Sequence, residues 1–317
     1  MTSRCRRQAP LVAAACACLV IGCGGAQRAR GASPATATTS LSARRFVVPL
    51  MVVGSTPSIA AFVRVMIHGR PYLFRLDTGA GHTVIDPAVA RTLGLRASGR
   101  PYRSYPFGCA AITRPIAISD WSLSGIPLPP SSIGSQHGLI VGVVAGGGPV
   151  VGLLGSDVLS RLGQVSLDFA QHQLVVGGPV PHGREVVMRV HHPNGKTYET
   201  IAVSLDGQPG TLVLDTGASS TLLTASLANR AHLRHVNRPI EARGAVGCRV
   251  RVQPIAIDNW STSGVSLPPL TAFATNATLL GRTIRPLDGI LGSDVLSEFD
   301  TVTLDFRSGR LILGARD

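Results

Sequence analysis

Charge is scarce in this sequence, and acidic charge scarcer still. Charged residues make up 15% of the 317, with 17 Asp and Glu against 30 Lys and Arg. The net charge of +13 is nearly all arginine, scattered rather than gathered into a run or stripe. That scatter argues for an arginine-preferring genome and against a surface built for polyanions. No nucleic-acid module is recognisable, and no Gly-rich phosphate loop is present. The nine histidines lack metal-ligand spacing, and His191-His192 is an isolated pair. No nucleic-acid partner, cofactor or metal is therefore expected. The apolar run at residues 11–22 is too short to span a bilayer comfortably.

That run is read instead as targeting. Arg4, Arg6 and Arg7 precede it, and it ends in Val20-Ile21-Gly22-Cys23. The pattern resembles a bacterial lipoprotein signal, with 1–22 removed and Cys23 lipidated. Residues 23–45 are small, polar and low in complexity, as a flexible tether would be. The expectation is an exported protein held to a membrane by its N-terminal lipid.

Breakers and apolar residues are both plentiful: 36 Gly, 22 Pro and 44% hydrophobic. The mixture suits short strands and tight turns, and the length allows two medium-sized domains. Internal similarity shows two. Asp77-Thr78-Gly79-Ala80 recurs as Asp215-Thr216-Gly217-Ala218, and Pro115-Ile116-Ala117-Ile118 as Pro254-Ile255-Ala256-Ile257. Trp121-Ser122 recurs as Trp260-Ser261, and the block Leu154 to Ser160 as Leu291 to Ser297. The order is kept and the offset stays between 137 and 139 residues. The units run from 46 to 178 and from 185 to 315, and the two in one chain predict a monomer.

Tyr72, Phe74 and Leu76 alternate into the first Asp-Thr-Gly, and Leu212 and Leu214 into the second, as half-buried strands do. Asp86-Pro87 predicts a capped helix start with Gly94 as its left-handed stop, and Thr224 takes the capping place in the second unit. Ser156 and Ser293 precede short apolar helices. Each helix is followed by a strand, a turn and another strand. The predicted fold is mostly β: two tandem barrel-like lobes related by a pseudo-two-fold axis, with a few short helices.

An isolated Asp-Thr-Gly is a weak signal, because it makes a turn on any surface. Here it ends an apolar strand once per repeat, and Leu-Leu-Gly or Ile-Leu-Gly leads into a helix some 75 residues later. With these landmarks the chain resembles the retroviral-type (retropepsin-like) aspartic peptidases, with both lobes in one chain as in pepsin-like enzymes. The resemblance implies an endopeptidase acting on a peptide or protein substrate. Asp77 and Asp215 would be the catalytic pair. Two carboxylates held together share one proton, so one is base to water while the other is acid to the carbonyl. Thr78 and Thr216 would exchange hydrogen bonds beneath the pair. Gly79 and Gly217 would let the backbone turn close to it and offer amide donors. Ala80 and Ala218 stand where pepsin-like enzymes commonly carry a hydroxyl. Losing that donor predicts a mildly acidic or neutral optimum; one below about pH 3 would count against the reasoning.

The resemblance also places Gly108, Cys109, Gly247 and Cys248 in the flaps that cover the cleft. In an oxidising compartment Cys109 and Cys248 are candidates for a bridge between the flaps, the alternative being two semi-buried thiols. Trp121 and Trp260 are read as packing residues, and Asp157 and Asp294 as first-turn helix acids. Tyr102 and Tyr105 precede the first flap tip without an aromatic counterpart in the second repeat. Two other functions stay open: a catalytically silent peptide-binding lipoprotein on the same duplicated fold, and a surface lipoprotein that holds polyanions.

Overall fold

The computed structural model describes residues 44–55, 58–106, 109–138, 143–144, 147–244, 246–276 and 286–314. The signal segment, Cys23, most of the tether and Gly108 lie outside these residues. Within them the architecture is mostly strand, with a few helices of one or two turns. Strands of the first repeat form an eleven-stranded sheet, and those of the second belong to a fifteen-stranded one.

The fifteen-stranded sheet includes a layer to which both repeats contribute. Its order is Phe46–Pro49, Gln173–Val176, Gln164–Asp168, Thr301–Asp305, Arg310–Leu313 and Arg184–His191. At its centre Gln164–Asp168 and Thr301–Asp305 run antiparallel, with Ser166 opposite Thr303. These are equivalent positions of the two repeats, so the pseudo-two-fold axis passes between them. Their hydroxyls lie 2.7 Å apart on that axis. Val165 and Leu167 on one side, and Val302 and Leu304 on the other, are buried against a core that also holds Phe74 and Leu76 of the first repeat and Leu212 and Leu214 of the second. A layer shared in this way ties the two repeats into one cooperative body.

In each repeat the strand that carries the Asp-Thr-Gly pairs in parallel with the strand of the later Gly-ending segment. Arg70–Asp77 pairs with Gly148–Gly155, setting Gly155 opposite Asp77. Gln208–Leu214 pairs with Gly289–Leu291, setting Leu214 opposite Leu291. A parallel pair needs a long crossover, and the intervening residues supply it with a hairpin and the Trp-bearing strand.

The helix signals act as their chemistry predicts. Asp86 Oδ1 accepts from the amides of Ala88 (2.7 Å) and Val89 (3.2 Å) at the start of Pro87–Thr92. Gly94 follows that helix at φ +67. Thr224 Oγ1 accepts from the Leu227 amide (3.2 Å) at the start of Ala225–Arg230. Ser156 and Ser293 differ from expectation. Each is the first residue of its helix, preceded by a glycine cap, and its hydroxyl points away from the helix. The tryptophans are 3% exposed, and each indole N–H donates to a proline carbonyl: Trp121 to Pro129 (2.9 Å) and Trp260 to Pro268 (2.8 Å).

Each repeat thus carries one tryptophan, and the shared layer predicts that both report one transition. Urea unfolding followed by fluorescence in Trp121→Phe and in Trp260→Phe should give coincident curves once each is corrected for its own stability loss. Two separated transitions within a single variant, read by fluorescence and circular dichroism, would show that the lobes unfold independently.

Candidate active site

The two Asp-Thr-Gly turns meet on the pseudo-two-fold axis and hold each other through their threonines. The Thr78 amide donates to Thr216 Oγ1 (3.1 Å), and the Thr216 amide donates to Thr78 Oγ1 (3.0 Å). Each hydroxyl in turn donates to a carbonyl of the opposite strand: Thr78 to Leu214 (2.8 Å) and Thr216 to Leu76 (3.1 Å). Both threonines are almost wholly buried. Four reciprocal bonds in a dry site leave neither turn able to move without stranding buried polar groups, at about 1–3 kcal/mol for each.

Above this grip Asp77 and Asp215 face each other. Asp77 Oδ1 accepts from the Ala80 amide (2.8 Å), and Asp215 Oδ1 from the amides of Gly217 (2.8 Å) and Ala218 (2.9 Å). A Cβ on Gly79 would collide with the Asp215 carboxylate, and one on Gly217 with that of Asp77. Glycine is required at both places by this close approach, not by an unusual φ. Burial is the main cause that raises both carboxyls above the ordinary aspartate value. For Asp215 the facing charge of Asp77 raises it further; the Arg75 guanidinium works in the opposite direction on both. The pair thus holds a proton that a solvated aspartate would have released.

Each short helix braces the chain just beyond its turn. Asp157 accepts from the Thr83 amide (2.8 Å) and hydroxyl (2.7 Å), and Asp294 from the Thr221 amide (2.7 Å) and hydroxyl (2.7 Å). Both acids stand in the first turn of a helix, but their carboxylates serve as buried clamps on the segment following each turn. His82 Nδ1 also lies 3.2 Å from Asp157. The first-turn reading from sequence misses this function, because local spacing does not reveal a partner some 73 residues away.

The hairpins expected as flaps are Tyr102–Ser104 with Ala111–Ile118 and Ile240–Arg243 with Arg249–Ile257. A disulfide joins Cys109 to Cys248, with Cα atoms 6.0 Å apart. Cys109 is buried in a cluster with Leu222, Val250, Val252 and Ile290 of the second repeat. Gly247, beside the bridge, has φ +79. Tyr105 is half exposed to solvent, whereas the Lys196 ammonium lies 5.7 Å from the centre of the Tyr102 ring.

Three residues near the turns were not read from sequence. Tyr198 packs its ring over Gly81, and burial pushes its hydroxyl up to about 12. Glu199, fully buried, receives the Ser156 hydroxyl at 2.6 Å, and the same hydroxyl lies 3.0 Å from the Thr78 carbonyl. Burial pushes Glu199 up to about 8, against a smaller lowering by Ser156. A protonated Glu199 donates to Ser156 Oγ, which frees the hydroxyl hydrogen for Thr78. The third, Arg75, lines a cavity of about 290 Å³ together with Asp77 and Asp215. Strand alternation carries a signal for it: Leu73, Arg75 and Asp77 share one face.

A family model described as aspartyl protease matches residues 63–158 and again residues 201–295. Among solved structures, the aspartic proteinase from Irpex lacteus aligns over 86% of this chain and 98% of its own, at 13% identity and a TM-score of 0.48. A 4-diphosphocytidyl-2-C-methyl-D-erythritol kinase from Pseudarthrobacter chlorophenolicus is 38% identical over 78 residues, 22% of this chain and 24% of the kinase. The chain spans about a quarter of that kinase's length.

Glu199 gives a stability test. Between its ordinary 4.5 and about 8, the folded state keeps a proton that the unfolded chain has released. Its contribution is therefore fully favourable below 4.5 and is lost as pH rises. Glu199→Gln should raise stability at pH 7 by on the order of 3 kcal/mol and change it little at pH 4. Urea midpoints across that range would read this; an equal effect at both pH values would contradict a neutral, buried Glu199.

Proposed function

The chain belongs to the aspartyl protease family, carrying its unit twice, and we propose that it is an endopeptidase in which Asp77 and Asp215 together activate water. The observation that carries this reading is the cross-bonded pair of turns. It sets two carboxyls, each raised by burial, against each other's glycine at the edge of a cavity.

The chemistry follows from a shared proton. The ionised carboxylate takes a proton from a water held between the two. That water attacks the scissile carbonyl carbon. The protonated partner gives its hydrogen to the carbonyl oxygen, so no free oxyanion forms. Collapse of the tetrahedral gem-diol breaks the C–N bond as a proton passes to the leaving amine. The pair titrates as a unit, so the proton belongs to the dyad rather than to either residue. The amides of Ala80, Gly217 and Ala218 hold each carboxylate in orientation through the cycle. Thr78 and Thr216 keep the two turns from separating. Orientation of this kind is what converts two ordinary acids into a catalytic pair.

The Cys109–Cys248 bridge ties the flaps into a fixed roof, favouring extended substrates that thread beneath it. Closing a loop of 139 residues also stabilises the fold, by about 5 kcal/mol on chain-entropy grounds. A structural disulfide suits an oxidising compartment. It agrees with an exported lipoprotein anchored through Cys23 that works outside the cytoplasm.

Cleavage of a diverse peptide library by soluble protein starting after Cys23 tests the proposal. Wild type should cut, while Asp77→Asn and Asp215→Asn should each lose at least about a thousandfold in kcat/KM. Activity should peak between roughly pH 5 and 7, since the pair must hold one proton and burial raises both groups. A single mutant that retains activity would remove the dyad from the mechanism. A correctly folded wild type that cuts nothing would leave a peptide-binding scaffold. Cys109→Ser with Cys248→Ser should widen the range of substrates cut while lowering the melting temperature; an unchanged range would show that the roof does not limit entry.

A further inference from the structure

The two halves of the site are not chemically equivalent, and the difference lies in one pair of positions. In the second repeat Tyr198 and Val213 pack together, and the Tyr198 ring covers Gly81 beside the first turn. At the repeat offset of 138 their counterparts are Ala60 and Arg75, and the counterpart of Gly81 is Ser219. Ala60 is too small to repeat what Tyr198 does. The space beside the second turn is correspondingly open: the cavity of about 290 Å³ is lined there by Ser219 and Ser220, with Arg75 and both aspartates.

Arg75 stands at this opening without a direct ion pair, acting on Asp77 and Asp215 only through space. Among the described residues it makes no ion pair within 4.0 Å, and its Nε is buried with no hydrogen-bond partner. A buried donor left without an acceptor is costly, and more so when it is charged. The strand places Arg75 two residues before Asp77, on the same face, so it lies beside the reacting centre rather than on the rim. Arg243, at the outer edge of the cavity, is the second cation of the lining. With one proton on the dyad, the charged groups of the lining sum to one positive charge. An anion entering here gains a bidentate partner despite the aspartates nearby.

Resting on the endopeptidase reading above, we propose that Arg75 makes this cavity a carboxylate-accepting subsite, selecting peptides with Asp or Glu at one of the two positions flanking the scissile bond. The guanidinium fork pairs with the side-chain carboxylate in the cavity that the Ser219–Ser220 segment also lines. In the other half Tyr198 stands where this half has Ala60, and Val213 where it has Arg75.

Peptides that differ only by Glu or Gln at each flanking position test this at pH 6, where a peptide Glu is ionised. Wild type should prefer Glu by about tenfold or more in kcat/KM at one of the two positions. Arg75→Met, which keeps the aliphatic stem, should bring the ratio near one, and Arg75→Lys should restore much of it. Fluorescence anisotropy of the same peptides on Asp215→Asn protein, with and without Arg75→Met, reads the subsite without turnover. Cleavage with a Glu-to-Gln ratio near one, or a ratio unmoved by Arg75→Met, overturns the subsite and leaves the peptidase standing. An Arg75-dependent preference for Glu in binding, with no cleavage by wild type, supports the subsite and overturns the peptidase. Neither cleavage nor a Glu preference in binding overturns both.

Discussion

Two threonines, each donating its amide to the other's hydroxyl across the pseudo-two-fold axis, are the interaction on which the rest of the site depends. Side-chain hydroxyls and backbone amides are all used up in the exchange, and the outgoing hydroxyl bonds reach carbonyls of the opposite strands. The carboxylates one residue earlier therefore have fixed positions relative to each other. Their mutual closeness, their burial and their raised proton affinity follow from that. The outer layers repeat the constraint at larger scale. Asp157 and Asp294 clamp the segments after the turns, and Ser166 meets Thr303 at the same axis in the shared sheet. A disulfide joins Cys109 to Cys248. The serine–threonine contact and the disulfide join equivalent positions of the two repeats, and the clamp recurs in each, as expected when a duplicated unit closes upon itself.

Symmetry in the scaffold makes the departures from it informative. The grip, the clamps and the indole-to-proline bonds occur in both halves. Glu199, Tyr198 and Arg75 occur in one half only, with Ala61, Ala60 and Val213 respectively at the corresponding places. Glu199 adds a proton-bearing prop under the first turn through Ser156, whereas Ser293 in the other half donates to the Ile59 carbonyl (2.7 Å). The scaffold thus supplies what any such dyad needs. The asymmetric residues make the halves differ in buried charge and in the space beside each turn.

Much of this was legible in the sequence, because duplication writes each structural demand twice. The repeated Asp-Thr-Gly-Ala fixed the place of the turns, and the Leu-Leu-Gly and Ile-Leu-Gly segments marked their parallel partners. Asp86, Pro87, Gly94 and Thr224 announced helix ends through local chemistry alone. The features that escaped depend on partners distant in sequence. Nothing local distinguishes the buried Glu199 from a solvated strand glutamate, since its burial comes from Ser156 and the first turn. The inward clamps of Asp157 and Asp294 looked like helix-dipole acids for the same reason. Arg75 was concealed differently. The alternation Tyr72, Phe74, Leu76 drew attention to the core face, while the opposite parity, Leu73, Arg75, Asp77, carried the functional one.

The central claim is that Asp77 and Asp215 titrate as one proton-sharing unit, and carboxyl-carbon NMR of ¹³C-aspartate-labelled protein tests it most directly. Resonances assigned through Asp77→Asn and Asp215→Asn should both shift in the same two steps, with a proton kept well above the ordinary value of 3.8. Each single mutant should reduce the survivor to one step. Two independent single-step titrations close to 3.8 would contradict the account, because the carboxyls would then be near neighbours that share nothing.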